Sequence, residues 1–310
     1  MKKVVTIFSP ATIANVGPGF DIMGFAIDHP GDRMSLEIIH GKSHRIVNKT
    51  SFDLPLDPEK NAATVSLSAF LDYIGSKEKF LVTFLEKIQP GSGIGSSAAS
   101  SAGSVFAANL LLNEPLSRKE LVLFAMQGEK AASGSAHADN VAPALMGGFV
   151  LIRSYDPLDL VEIPSPQDLF CTVVHPEIQL ATKESRRILK GSVPLSIAVT
   201  QAGNVAGLIT GLLTSNYALI RNSLHDVIAE PARSFLIPGF EKLKVASMKA
   251  GALGSSISGS GPSVFSLSKG KKSAQAVAKS LKKVFDSMDI PNKVFISGIN
   301  HKGVHQTEEK

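Results

Sequence analysis

The chain has 310 residues, of which 44% are hydrophobic and 19% charged, and a formal net charge of +5 at pH 7. That composition excludes a disordered or fibrous chain and fits a globular protein of one large or two medium domains. One cysteine, Cys171, excludes an internal disulfide and fits a reducing compartment, the cytoplasm.

The mild positive charge suits an anionic substrate. The Lys269–Lys272 and Lys282–Lys283 clusters lack interleaved aromatics and read as solvated faces, so no nucleic-acid partner is expected. The basic-then-apolar start ends at Pro10, too short for a signal peptide. No stretch approaches the length of a membrane-spanning helix, so no membrane association is expected either.

Val4 to Phe8 reads as a β-branched strand, followed by a turn-rich segment from Ser9 to Gly24 that holds Asn15 and Asp21 between apolar residues. Met34 to Ile39 is a second strand. Ala62 to Ile74 repeats apolar residues at helical spacing with Asn61 at its start, and Phe80 to Ile88 is a strand.

That strand delivers the chain to Gln89-Pro90-Gly91-Ser92-Gly93-Ile94-Gly95-Ser96-Ser97-Ala98-Ala99, on which the rest is organised. Glycines at every second position are costly in a strand or a helix interior. The Ala- and Leu-rich run from Ser96 to Leu112 reads as a helix with serines around its N-cap. A glycine loop feeding a helix N-terminus aims bare amides and a positive dipole end at one point, which makes an anion site. Ser96 stands where a Walker loop would carry Lys, and the dinucleotide fingerprint fails on its spacing. The loop alone therefore points to phosphate and leaves the nucleotide class open.

Ser117 and Glu120 form a capping box for a helix continuing through Met126 and Glu129. Glu129 lies among small residues that would let a ligand approach closely. His137, Asp139 and Asn140 then crowd into one short stretch beside apolar helix, a density that suggests a site. Gly147 and Gly148 lead into the strand Phe149 to Arg153. Asp156 to Asp168, rich in Pro and acids, marks a boundary between domains 1–165 and 166–310.

Beyond it come the strand Phe170 to Val174, a short helix Thr182 to Leu189, and helices over Ser196–Asn216 and Tyr217–Leu224. Glu230-Pro-Ala-Arg and Pro238-Gly punctuate the entry to a helix ending near Ala250. Gly254 to Gly261 is a second Ser/Gly-rich element before the strand Ser263 to Leu267. A helix from Ser273 to Met288 and a strand from Lys293 to Ile296 follow, and the polar tail after Asn300 reads as loose. The pattern makes an α+β sandwich.

The assembled motifs resemble the galactokinase, homoserine kinase, mevalonate kinase and phosphomevalonate kinase (GHMP) superfamily. The superfamily pattern Pro-x-x-Gly-Leu/Ile-Gly-Ser-Ser-Ala stands here as Pro90 to Ala98. Ala14 to Asp21, His137 to Pro143 and Ser258 to Ser263 are similar to the forms these motifs take in the homoserine kinase family. Ser260 replaces a common Ala, and Asn61 is followed by Ala-Ala where a bulkier pair is common.

The resemblance implies an N-terminal domain with a left-handed βαβ crossover and a C-terminal ferredoxin-like domain. It implies transfer of phosphate from ATP to the side-chain hydroxyl of L-homoserine, a step toward threonine, by a homodimer. It carries ATP-binding roles onto Asn61, beside the adenine, and onto Gln89 to Ala99. It makes Ser97 and Glu129 ligands of Mg²⁺. Asn15, Asp21, His137, Thr182, Arg186, Arg233 and Gly259 become the homoserine pocket, with the arginines on the carboxylate. Asn140 orients the acceptor hydroxyl and Asp139 supports it; mevalonate kinase-like members are described with an Asp base at this pair. The alternatives are a GHMP kinase acting on another alcohol, or a non-catalytic ATP-binding sensor on the same fold.

Overall fold

Two β-sheets divide the strands between them. The structure, a computed structural model, describes residues 4–178, 185, 187–189 and 191–307. Thr182, Arg186 and half of the predicted Thr182–Leu189 helix lie outside the described residues.

The first sheet is built on β1 (Val4–Ala14) and β2 (Met23–Ile39), antiparallel neighbours along most of their length. Both strands are longer than the sequence predicts. β1 runs on through Pro10, where its register shifts by a bulge, and β2 begins in the segment expected to be turn. Bulges and proline are compatible with strands when the ladder is already interrupted there.

β3 (Arg45–Asn48) lies parallel to β4 (Lys79–Glu86), and α1 (Ala62–Tyr73) makes the crossover between them, a βαβ unit. β5 (Phe149–Tyr155) pairs the start of β2, and β6 (Leu158–Ile163) pairs β5. The sequence left that last segment as a boundary; its Leu160 and Ile163 are buried and carry the strand.

α2 (Ser96–Leu111) and α4 (Ala138–Met146) pack on this sheet, and α1 and α3 (Arg118–Ser133) pack against α2. α2 touches the other three helices as well as β1 and β2, and 14 of its 16 residues are buried. A helix surrounded on all sides needs small side chains, which accounts for its Ala, Ser and Gly content. Its core also includes Phe70, Phe80, Phe84, Val105 and Leu121.

The second sheet, in order β10-β7-β9-β8, is antiparallel throughout: β7 (Leu169–Pro176), β8 (Gly254–Ile257), β9 (Val264–Lys269) and β10 (Asn292–Gly298). Between β7 and β8 run α5 (Leu195–Leu213), α6 (Tyr217–Ser223), α7 (Ala229–Arg233) and α8 (Phe240–Lys249); α9 (Lys271–Asp286) joins β9 to β10. The strand order and the helical connections give the expected ferredoxin-like βαββαβ arrangement. α7 forms where the sequence suggested only punctuation.

α5 also corrects the expectation that no stretch approaches the length of a membrane-spanning helix. Its 19 residues carry no charge and are long and apolar enough to cross a membrane by length and composition, although Gln201, Leu208, Gly211 and Leu212 are buried in the fold.

The two sheets share a core in which Phe25 stacks on Phe149 and meets Phe265 edge-on. The tail is not loose. Asn300 exchanges backbone bonds with Ala26 and Gly148, Val304 is fully buried, and β11 (His305–Gln306) adds to β1.

Candidate active site

A cavity of about 520 Å³ opens between the two sheets, a volume that fits a small-molecule site. Its floor is the glycine loop. Gly95, not a serine, is the N-cap of α2 and sits at φ +71°. A Cβ there would collide with Thr12 Oγ1, and one on Gly93 (φ +78°) would collide with the Gly261 carbonyl. Only glycine fits both a left-handed backbone and that proximity.

The first α-helical bond of α2 runs from Ala99 N–H to Gly95 O at 2.8 Å. The amides of Ser96, Ser97 and Ala98 precede it and stand at the positive end of the helix dipole. The loop carbonyls are turned away: Ser258 Oγ donates to Gly93 O (2.7 Å), Ser263 Oγ to Ser92 O (2.6 Å) and Thr12 N–H to Ile94 O (3.2 Å).

The residues assigned to ATP divide accordingly. Asn61, Pro90, Gly91, Gly93, Gly95, Ser96 and Ser97 line the cavity. Gln89, Ser92, Ile94, Ala98 and Ala99 do not. Gln89 Oε1 accepts from Lys293; Ser92, Ile94, Ala98 and Ala99 are buried, and Ala99 spends its amide inside the helix. Asn61 caps α1 through Oδ1 on Ala63 N–H (3.0 Å) and donates to Pro55 O (2.8 Å), leaving one N–H and one lone pair for a ligand.

A buried ion pair missed by the sequence analysis braces this floor. Lys87 Nζ lies 2.8 Å from Asp32 Oδ2 and donates to Ser96 O (2.6 Å) and Ser96 Oγ (2.7 Å). Asp32 also accepts from Ile88 N–H and Ser100 Oγ, both at 2.8 Å. Burial pushes the Lys87 ammonium below its ordinary range, and Asp32 opposes that shift. Neither residue stands in a recognisable motif, and strand alternation gives no reason to turn a lysine inward.

Above the helix start, α3 brings in Glu129. Its capping box is present as predicted, with Ser117 and Glu120 bonded reciprocally. Glu129 is buried, so its carboxyl is pushed up by desolvation; the Ser97 hydroxyl bonded to it and the Lys87 charge pull the other way. One oxygen, Oε1, has no hydrogen-bond partner. A buried carboxylate oxygen left unpaired at a cavity wall is costly in the ligand-free fold and has the hard-oxygen chemistry of a ligand for a small divalent cation.

The opposite wall carries the remaining polar groups. Thr12 Oγ1 donates to Asn140 Oδ1 at 2.7 Å, which fixes that amide over Gly95. Asp139 is buried in the first turn of α4, and Gly24 packs directly on its carbonyl. His137 Nδ1 faces Asp21 Oδ1 at 3.8 Å. Tyr155 ties the two segments together, donating to Asp21 O (2.8 Å) and accepting from Ala138 N–H (3.3 Å).

Asn15 adopts φ +72° and donates to Gly259 O (2.7 Å), to which Arg233 Nη1 also points at 3.4 Å. Arg233 is 5% exposed, stacks over Phe20 at 5.0 Å and donates to Ser185 O at 2.8 Å. Its helix is held by Asp226, which accepts the amides of Ile228, Ala229 and Glu230 and a bond from Gln201. Asn15, Asp21, His137, Asp139, Asn140, Arg233 and Gly259 thus reach one cavity with Glu129 and the loop.

Comparison with known proteins accounts for this arrangement. Residues 61–148 match the N-terminal domain model of the GHMP kinases and residues 207–287 the C-terminal one. The chain belongs to the GHMP kinases, ATP-dependent enzymes that phosphorylate an alcohol. Homoserine kinase of Chlorobium phaeobacteroides is 50% identical over 295 residues, covering 91% of this chain and 92% of the relative. That of Chlorobaculum tepidum is 48% identical with 91% of each covered. A crystal structure of homoserine kinase from Cytophaga hutchinsonii superposes with a TM-score of 0.95 at 48% identity, over 99% of this chain and 98% of that one. Within the GHMP kinases, the chain belongs to the homoserine kinase family.

Proposed function

We propose that this protein transfers the γ-phosphoryl group of ATP to the side-chain hydroxyl of L-homoserine, forming O-phospho-L-homoserine for threonine biosynthesis, in the cytoplasm. The observation that carries the reading is the convergence of the α2 amides, Glu129 and Arg233 on one cavity. An anion cradle, a buried carboxylate with a spare oxygen, and a guanidinium are what Mg-ATP and an amino-acid substrate require.

The amides of Ser96 and Ser97 hold the phosphates. Ser97 and Glu129 would hold Mg²⁺, which keeps several waters and so needs few protein oxygens. When bound, the cation neutralises charge on the phosphates. Asn61 flanks the adenine. Arg233, with Arg186 from outside the described residues, pairs with the homoserine carboxylate through charge-assisted bonds. Asn15, Asp21, His137, Thr182 and Gly259 surround the ammonium and the carbon chain.

Asn140, held by Thr12, orients the acceptor hydroxyl, and Asp139 supports it. A loose phosphoryl-transfer transition state needs little proton removal before the bond forms, so positioning and charge neutralisation supply most of the rate. The two functional units divide at 165/166, a position supported by the end of β6 at Ile163 and the start of β7 at Leu169.

The test is ADP release with Mg-ATP and a panel of L-homoserine, L-threonine, L-serine, mevalonate and galactose. Turnover confined to homoserine is expected. Turnover on mevalonate or galactose would discard the amino-acid pocket. ATP binding without turnover on any of the five would favour a sensor.

A further inference from the structure

α5 lines no part of the cavity, yet one polar side chain on its buried side ties together two segments that do. Gln201 is 8% exposed, and its amide reaches both of them. Nε2 donates to Pro18 O (2.8 Å) and to Asp226 Oδ1 (2.9 Å), and Oε1 accepts from Val227 N–H (2.9 Å). Acceptors facing the nitrogen and a donor facing the oxygen fix which way the amide points.

Pro18 belongs to the loop between β1 and β2 that carries Asn15, Phe20 and Asp21. That loop is strained. Asn15, Val16 and Gly17 follow one another at φ +72°, +42° and +66°, and Asp21 sits at +60°. For a β-branched residue such as Val16 this region is an outlier, which persists only where the surroundings hold it.

Asp226 and Val227 begin the other segment. Asp226 accepts the amides of Ile228, Ala229 and Glu230 and so fixes the start of α7, at whose far end stands Arg233. The two segments meet again at the cavity wall. There Arg233 lies over Phe20 and shares the Gly259 carbonyl with Asn15.

We propose, on the homoserine reading above, that Gln201 is a positioning residue for that substrate. It locks the Asn15–Asp21 loop to α7 and thereby sets the spacing between Asn15, Asp21 and the Arg233 guanidinium. The nucleotide end of the cavity is built by the glycine loop, α1 and α3, so a change at Gln201 acts on one substrate and spares the other.

Gln201→Met keeps the length of the side chain and removes its bonds to Pro18, Asp226 and Val227. Steady-state kinetics should show homoserine KM raised about tenfold, the worth of one net hydrogen bond. The ATP KM and kcat should stay within about twofold of the wild type, because only uniform binding of homoserine is lost. Gln201→Asn keeps the amide but draws it back by one methylene, and should show the same split at about threefold.

Hydrogen exchange of the ligand-free protein reads the clamp separately from the homoserine reading, which wild-type turnover decides. The amides of Asp21, Met23, Ala229 and Glu230 keep their own acceptors in Gln201→Met. They are nonetheless expected to exchange about tenfold faster, while the amides of α2 do not change. A fall in kcat with both KM values unmoved is the signature of less folded enzyme and would overturn the proposal. So would an equal rise in both KM values, or unchanged exchange at those amides.

Discussion

Replacing Lys87 by Met keeps the length of the side chain and removes its charge from a site with almost no access to water. The ammonium and the Asp32 carboxylate are 4% and 0% exposed, and Lys87 gives up bonds to Asp32 and to both oxygens of Ser96. Breaking a buried pair by removing one member costs about 3–5 kcal/mol, because the other charge stays buried. Asp32 keeps the Ile88 amide and the Ser100 hydroxyl, each a bond of about 1 kcal/mol, which puts the loss near the lower end, about 3 kcal/mol. Urea unfolding monitored by circular dichroism measures it.

The double variant Lys87→Met, Asp32→Leu removes both charges and is expected to recover part of that stability, since the unpaired charge is gone while the buried Ile88 amide loses its acceptor. It should not recover turnover, because Ser96 still lacks the donor that fixes the first turn of α2 beneath the phosphates. A single variant losing less than about 1 kcal/mol would refute the energetic argument. A double variant with full turnover would show that the pair serves stability alone.

Glu129→Gln is expected to lower turnover about 10²- to 10³-fold, the size of effect seen on removing one group that stabilises transition-state charge, with homoserine KM nearly unchanged. Steady-state kinetics with near-normal turnover would remove the metal role. Arg233→Met keeps the stem over Phe20 and loses the guanidinium; homoserine KM should rise about 10- to 100-fold, the worth of a charge-assisted bond, and an unmoved KM would place the carboxylate elsewhere. His44 is buried and accepts the Phe80 amide on Nδ1 (3.1 Å); burial first, then Lys79, lowers its pKa from 6.5 to about 4. The unfolded chain therefore takes up a proton between pH 6.5 and about 4 that the folded chain refuses, so stability is lost as pH falls through that window. Allowing for partial solvation, the loss attributable to His44 is about 2 kcal/mol. Denaturant midpoints for His44→Gln should fall less steeply below pH 6.5 than the wild type, and parallel profiles would contradict the assignment.

Much of the site was legible because its chemistry is local. A glycine loop before an Ala-rich helix, and His137, Asp139 and Asn140 within one turn of α4, are dense enough to read as sites without a fold. The missed elements depend on distant partners. Lys87 and Asp32 are 55 residues apart and look like ordinary surface charges until β2 and β4 bring them together under α2. Thr12 lies in what the sequence reads as turn, yet it hydrogen-bonds Asn140 across 128 residues. The tail looked loose because polar composition hides the buried Val304, whose amide bonds the distant Ala144 carbonyl, and β11, which needs β1 beside it. Conversely, Ala98 and Ala99 belong to the motif but face the core. The pattern conserves the backbone path there, and helix geometry, not motif membership, decides which atoms reach the cavity.

The proposed phosphate cradle belongs to both sheets jointly. An anion site needs amides facing inward, so the carbonyls of the same loop must face outward and find donors there. Those donors come from the turn between β8 and β9: Ser258 for Gly93 and Ser263 for Ser92, with Ser263 backed by His175 Nδ1 at 3.1 Å. Burial and the nearby Lys293 charge keep the His175 pKa below its ordinary range, which favours the neutral ring beside that hydroxyl. The same turn places the Gly259 carbonyl between Asn15 and Arg233, at the proposed substrate end of the cavity. One Ser/Gly-rich element therefore sets the direction of the phosphate loop and the position of the guanidinium. That explains why the second glycine motif must be short-sided where it meets the first. A side chain at Gly93 would run into the Gly261 and Ser258 carbonyls and separate the two turns.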